Sequence, residues 1–320
     1  MGLSFDLDNT FFKEIKQVRP GCILKLSLKE FKITEENLKT NLNFIDLGQK
    51  ESFNYSEHSN QLKKIVHDHL ISDVDIASTL SGGIDSTYLS IAASKLSQSE
   101  FTCYTLNTKF IDCELDSNLI QKLSFLNIKK VDDFKTDYLA NLKKIIKLLS
   151  SPLRTSGWLL QDLIYENIFN NSNTKVILVG EGADELYSGY ERLINPYLYC
   201  LEISDEFDLF ESTLCNISSF TKQDYKKNLL SYENYKNRLD SDTDYNDKIF
   251  WKYLNIDSKI NFERNFLGNK DFKNLNYEPE VIYKTHLKNY FKRSLIPSDL
   301  MILDHLSMSK GLELRVPFID

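Results

Sequence analysis

The sequence predicts an α/β protein, a doubly wound parallel sheet with a large helical part toward its C-terminus. Three observations carry that prediction. Between residues 74 and 179, short apolar runs of strand length alternate with helical patterns, the mark of βαβ units. Two of the runs end in glycine turns rich in carboxylates, Ser81-Gly82-Gly83-Ile84-Asp85-Ser86 and Gly180-Glu181-Gly182-Ala183-Asp184-Glu185-Leu186. Ligands on such sheets bind at the carboxyl ends of strands, and both turns lie there. The chain has 320 residues, 42% hydrophobic and 27% charged, enough for a full core and ordinary for a globular protein.

The elements follow in order. Residues 1–45 are strand-prone, with a turn at Arg19-Pro20-Gly21, and Cys22–Leu28 alternates like a half-buried strand. A helix is predicted over 56–70, capped by Ser56, with Leu62, Ile65, Val66, His69 and Leu70 on one face. Val74–Leu80 is a strand and 86–97 a helix. Phe101–Leu106 is a strand and Asp116–Leu126 a helix. Ile128–Phe134 is a weaker strand before a helix at 138–149. Trp158–Phe169 is helical and Lys175–Val179 a buried strand. From 190 to 300 the Tyr-, Phe-, Leu- and Lys-rich sequence keeps no strand alternation and predicts mostly helix.

Composition narrows the function. A net charge of -7 argues against a general nucleic-acid or anionic-membrane binder. No apolar run reaches the roughly 18–20 residues of a membrane helix, and the N-terminus lacks the basic start and apolar stretch of a signal peptide. The five cysteines, Cys22, Cys103, Cys113, Cys200 and Cys215, show no CxxC spacing. That pattern fits free thiols in a reducing cytoplasm, without a disulfide frame or zinc site. In a strand, Cys22 is expected to be buried.

The two turns carry the chemistry. Gly82 and Gly83 let backbone N–H groups approach an anion, Ser81, Ser86 and Thr87 add hydroxyls, and the helix beginning near Ser86 points its positive end at the same place. Asp85 suits such a site only beside the Mg²⁺ that accompanies phosphates. The lysine of a Walker A loop is missing. The competing reading is an ordinary strand-to-helix turn. In the second turn, three carboxylates within five residues call for a cation or for solvent; the competing reading is a solvated acidic loop.

Ser-Gly-Gly-Ile-Asp-Ser resembles the pyrophosphate loop of the ATP pyrophosphatase (PP-loop) superfamily, which cleaves ATP between the α- and β-phosphates and adenylates a substrate. Gly180–Tyr190 is similar to the Gly-Asp/Glu-Gly-x-Asp-Glu-Leu-Phe-x-Gly-Tyr motif of asparagine synthetases and β-lactam synthetases. Asp304–Asp320 resembles that family's Asp-Arg-Met-Ser-Met-x-x-x-Leu-Glu-x-Arg-Val-Pro-Phe-Leu-Asp, with His305 in place of the first arginine. His305 reads as a surface or packing residue. On the residues alone the Leu/Met stripe is core, and Arg315 and Asp320 could form an ion pair.

The resemblance implies ATP and Mg²⁺ as ligands. Ser81, Gly82, Gly83 and Ser86 would hold pyrophosphate, and Asp85 and Asp184 the metal. Leu80, Leu106, Val179 and Gly180 would border the nucleotide; without the resemblance, the apolar three are plain core. Glu181 would be the catalytic residue, positioning the incoming amine or taking its proton. The implied reaction is adenylation of a carboxylate, foremost L-aspartate, and transfer of ammonia to it, giving asparagine. Partners would be a small carboxylate and either ammonia or a separate glutaminase subunit, with no nucleic acid or membrane. Other readings stay open: a specialised ligase for peptides, β-lactams or sugar acids, or an inactive nucleotide-binding fragment. A tRNA-modifying ligase fits the loop but not the acidic turn.

Thr10–Leu26 looks like the tail of a glutaminase domain, so residues 1–45 are expected to be a remnant of that domain and 46–320 a synthetase domain incomplete at its C-terminus. The family's glutaminase nucleophile, an N-terminal cysteine, is not found here, and the family pattern runs past Asp320 to a charge-stabilising lysine. The chain is therefore expected to be a fragment, a split-gene product or a degenerate copy, with apolar surface exposed. Ser150-Ser151-Pro152 replaces the family's Asp-Glu-Pro, which leaves the acceptor open; Arg154 is either a carboxylate clamp or a surface residue.

Overall fold

The computed structural model describes residues 10, 12–18, 22–37, 54–107, 122–133, 137–151, 153, 155–187, 189–221, 224–240 and 299–320. They fall into two compact units, one holding the described residues up to 187 together with 299–320, the other holding 189–240.

The first unit contains a five-stranded, all-parallel sheet of order β5-β4-β3-β6-β7. The strands are β3 (Ile76–Thr79), β4 (Thr102–Asn107), β5 (Asn127–Asp132), β6 (Val176–Leu178) and β7 (Glu313–Arg315). Central β3 pairs Ala77 with Thr102 of β4 and with Ile177 of β6. Alternate strand residues supply two cores, as a sheet covered on both faces requires. Ala77, Tyr104, Val131 and Ile177 pack with α3 (Tyr138–Leu149), α4 (Gly157–Asn171) and α9 (Met301–Met308). Leu80, Cys103 and Leu178 pack with α1 (Tyr55–His69) and α2 (Ile84–Leu96). The predicted doubly wound sheet is thus the observed one.

Local chemistry explains the ends. α1 is capped by Asn54, whose side chain accepts from Glu57 N at 3.1 Å, not by Ser56; the amide oxygen two residues earlier serves the open N–H. α3 is capped by Asp137, which accepts from Leu139 and Ala140 N. Small residues on α2 let it lie close on the sheet, where the Ser78 and Ser90 hydroxyls meet at 2.8 Å in the core.

The predicted helix at 116–126 lies partly outside the described residues; within them 123–125 form a turn. The 19–21 turn also lies outside, as do residues 241–298 of the 190–300 stretch expected to be mostly helix. β7 was not predicted: three residues are too few for a period to register.

At the N-terminal end, β1 (Cys22–Ser27) and β2 (Lys32–Asn37) form an antiparallel hairpin. Leu24, Leu26 and Ile33 share one exposed face. Cys22 is half-exposed instead of buried, because among the described residues the hairpin has no second layer packed on it.

The second unit contains α6 (Glu191–Ile203), α7 (Phe207–Thr221) and α8 (Tyr225–Asp240), helical as predicted. Leu198, Leu201, Phe210, Leu214 and Tyr232 form its core, with the Phe210 and Tyr232 rings edge to face at 5.1 Å. Glu202 receives both the Tyr232 hydroxyl and the Lys236 ammonium.

Candidate functional site: two acidic turns on one sheet edge

Both glycine turns leave the carboxyl ends of neighbouring strands. After β3, Leu80 N still donates to Tyr104 O at 2.8 Å. The chain then turns through Gly82 at φ +87°, a conformation glycine adopts without strain. The serines shape the loop. Ser81 N donates to Ser86 Oγ at 3.1 Å, the two hydroxyls lie 2.9 Å apart, and Gly83 N donates to Ser81 Oγ at 3.3 Å. The N-cap of α2, Gly83, makes no side-chain cap. The positive end of α2 therefore faces the loop with its first-turn N–H groups uncapped by a side chain.

After β6, Val179 N donates to Arg315 O at 3.0 Å. Gly182 then takes φ +92° and begins the single turn α5 (Ala183–Tyr187). Gly180 joins the two motifs. A Cβ there would sit 3.0 Å from Ser86 N and 3.3 Å from the Asp85 carbonyl carbon, so the two backbones touch.

This contact gathers carboxylates. Burial, then the charge of Asp184, raises the Asp85 pKa. Glu181 is pushed up to about 7 by burial first, then by Asp299, Glu185, Asp184 and Asp85. Beneath them, buried Tyr165 accepts from Gln161 at 2.9 Å. Its hydroxyl is held protonated by burial and by the nearby Glu181 and Asp162 charges. Among the described residues, no group of three or more His, Cys, Asp or Glu side chains is arranged to hold a metal ion. The Asp85–Asp184 pair suits Mg²⁺, which commonly takes one or two carboxylates and completes its shell with phosphates and water.

Every site residue expected from the sequence lies on this edge, with one distinction. Leu80 and Val179 are each 1% exposed, so a ligand would meet their backbone. Leu106 is half-buried. Leu80 and Leu106 pack into cores on opposite faces of the sheet. Arg154 and Pro152 lie outside the described residues. Asp299 and buried Glu185 were missed. Glu185 stood inside the motif, but Asp299 lies over a hundred residues away with no local signal.

Arg315 and Asp320 are not paired with each other. Arg315 bonds Glu313 and the carbonyls of His69 and Ile71, at 2.7 and 2.8 Å, while Asp320 meets His69 at 3.2 Å. His305 is exposed, as a surface residue would be.

A family model described as "Asparagine synthase" matches residues 57–320. The chain is 26% identical over 341 residues to "Asparagine synthetase [glutamine-hydrolyzing] 1" of Bacillus subtilis, covering 98% of this chain and 49% of that protein. It is 30% identical over 138 residues to a "Putative asparagine synthetase [glutamine-hydrolyzing]" of Mycobacterium bovis, covering 42% of this chain and 21% of that protein. The chain thus spans half or less of the length of these relatives. Among solved structures it is similar to an NH3-dependent NAD synthetase from Campylobacter jejuni, with 15% identity and a TM-score of 0.34 over 76% of this chain and 97% of that one.

Proposed function

The chain belongs to the asparagine synthase family of ATP-dependent carbon–nitrogen ligases, and on that premise we propose that it adenylates a carboxylate and passes ammonia to it, with L-aspartate as acceptor and asparagine as product. The observation that carries this reading is the Gly180–Ser86 backbone contact, which brings the anion-shaped loop and the acidic turn to one place.

The acceptor carboxylate attacks the α-phosphate of ATP, the α–β bond breaks, and pyrophosphate leaves. Ser81, Gly82, Gly83 and Ser86 hold that pyrophosphate through backbone N–H groups, hydroxyls and the α2 terminus. Asp85 and Asp184 would hold Mg²⁺, which neutralises charge on the departing phosphates. Leu80, Val179 and Gly180 border the nucleotide through their main chain and Leu106 through its side chain. Ammonia then attacks the activated carbonyl and displaces AMP. Glu181, its pKa pushed up to about 7 by burial and the neighbouring carboxylates, would orient the ammonia or take its proton at neutral pH. Free ammonia or a separate glutaminase subunit supplies the nitrogen.

ATP–pyrophosphate exchange with Mg²⁺ and L-aspartate tests the reading. Aspartate-dependent exchange, lost in Asp85→Ala, is the expected result. Exchange with another acid alone keeps the chemistry and replaces the acceptor. Absence of exchange from folded protein that binds ATP overturns the adenylation.

A further inference from the structure

One cluster beside the carboxylates has no role in that scheme. On α2, Tyr88 lies three residues after Asp85; on α5, Tyr187 lies three residues after Asp184. Residues at that spacing share a helix face, so each carboxylate of the proposed metal pair has a tyrosine one turn further along. Both rings rest on Phe318, with centroids 6.4 Å away for Tyr88 and 6.3 Å for Tyr187. His58 of α1 also meets Tyr187, its Nε2 2.7 Å from the tyrosine hydroxyl and its ring edge-on to the tyrosine at 5.6 Å.

The Tyr88 hydroxyl is shielded from solvent and has no hydrogen-bond partner among the described residues, and the same holds for Thr87 Oγ1 beside it. A shielded hydroxyl without a partner calls for one. In the tautomer with Nε2 protonated, His58 donates to the Tyr187 oxygen, which leaves the tyrosine O–H pointing its proton elsewhere. Tyr187 is 44% exposed, so a ligand can reach it. Phosphate oxygens are acceptors only, and these are donors.

We propose that Tyr187, oriented by His58 and flanked by Tyr88, extends the phosphate subsite and donates to the outer phosphates of the nucleotide, the part released as pyrophosphate. The inference rests on the reading of the Ser81–Ser86 loop as a pyrophosphate cradle. It adds residues on α1 and α5 that the loop motif does not contain. Tyr187 acts as a binding residue and His58 as a positioning residue.

Equilibrium binding to the full chain tests it, with Mg²⁺–pyrophosphate as one probe and AMP, which lacks the outer phosphates, as the other. Tyr187→Phe keeps the ring packing on Phe318 and removes only the hydroxyl. It is expected to weaken pyrophosphate binding about tenfold, the order of one hydrogen bond to a charged group, and to leave AMP binding and the melting temperature unchanged. His58→Ala should weaken pyrophosphate in the same selective way, and His58→Gln, whose amide still donates, should restore most of it. Wild-type affinity for pyrophosphate in Tyr187→Phe overturns the inference while the cradle stands. A parallel loss of both ligands overturns it too, since the tyrosine would then act through the fold. Failure of the wild-type protein to bind pyrophosphate overturns the cradle itself.

Discussion

At Gly180, the lack of one methyl group decides whether two acidic turns share a place. Alanine there would set a Cβ 3.0 Å from Ser86 N and 3.3 Å from Ser86 Cα, against backbone that cannot swing aside. Gly180→Ala is expected to weaken ATP binding at least tenfold while lowering stability by only about 1–2 kcal/mol, measured by nucleotide titration and thermal melting. Gly182 differs, because a Cβ there would meet a side chain, Ile319 Cγ1 at 2.3 Å and Cδ1 at 2.8 Å, and the φ of +92° adds strain. Alanine at Gly182 should act mainly on stability, by about 1–2 kcal/mol. Glu181 poses the opposite problem of a charge kept where it is unwelcome. Its folded pKa is raised from 4.5 to about 7, so between those values the folded state binds the extra proton and stability falls as pH rises. Above pH 7 the penalty is complete. Glu181→Gln should therefore stabilise the ligand-free protein at pH 8, on the order of 1–3 kcal/mol, and change little at pH 4. Melting curves at the two values check this; equal shifts at both would remove the electrostatic account. The two turn motifs were legible because glycines and carboxylates at a strand end have few other uses. Asp299 and the His58–Tyr187 pair were not, since they reach the site only through tertiary packing.

Among elements, the central strands were readable because each is a short apolar run flanked by helical periodicity; β3, β4 and β6 all fall within a residue or two of expectation. β7 was hidden. Glu313-Leu314-Arg315 has no run length, and its strand character comes from the neighbour it joins, with Ile177 opposite Leu314. Arg315 also serves α1. Its Nη1 donates to the His69 and Ile71 carbonyls at the carboxyl end of that helix, where a cation satisfies open acceptors and opposes the negative end of the dipole. Sequence alone offered Asp320 as its partner, because helix-end carbonyls cannot be seen in residue identities. Arg315→Ala should cost about 1–2 kcal/mol and increase amide hydrogen exchange selectively in the last turn of α1. Exchange unchanged there would mean that the carbonyls are equally well served by water.

Taken whole, the first unit is discontinuous in sequence, because 299–320 return to residues that end at 187. One buried ion pair fastens the return: the Lys310 ammonium meets the Asp162 carboxylate across a separation of 148 residues. Asp162 is fully buried and Lys310 is 9% exposed. They join α4, the helix that carries Tyr165, to the end of α9. Lys144 stands 3.6 Å from the second oxygen of Asp162 and 2.7 Å from Glu166, so the carboxylate keeps a partial partner if Lys310 is removed. Among the described residues Lys310 would keep only neutral partners, the Leu306 carbonyl at 3.3 Å and the Ser309 hydroxyl at 3.4 Å. Breaking a buried pair from one side is strongly destabilising, by about 3–5 kcal/mol, whereas replacing both partners with apolar groups is often neutral. Asp162→Leu should therefore be the worse single change and Lys310→Met the milder, with Lys144 making the difference. Asp162→Leu with Lys310→Met should recover most of the loss. Denaturant unfolding of the four proteins measures the coupling. Additive losses would mean that the pair is incidental, and that the return of the chain rests on Ile302, Leu303 and Leu306 in the core.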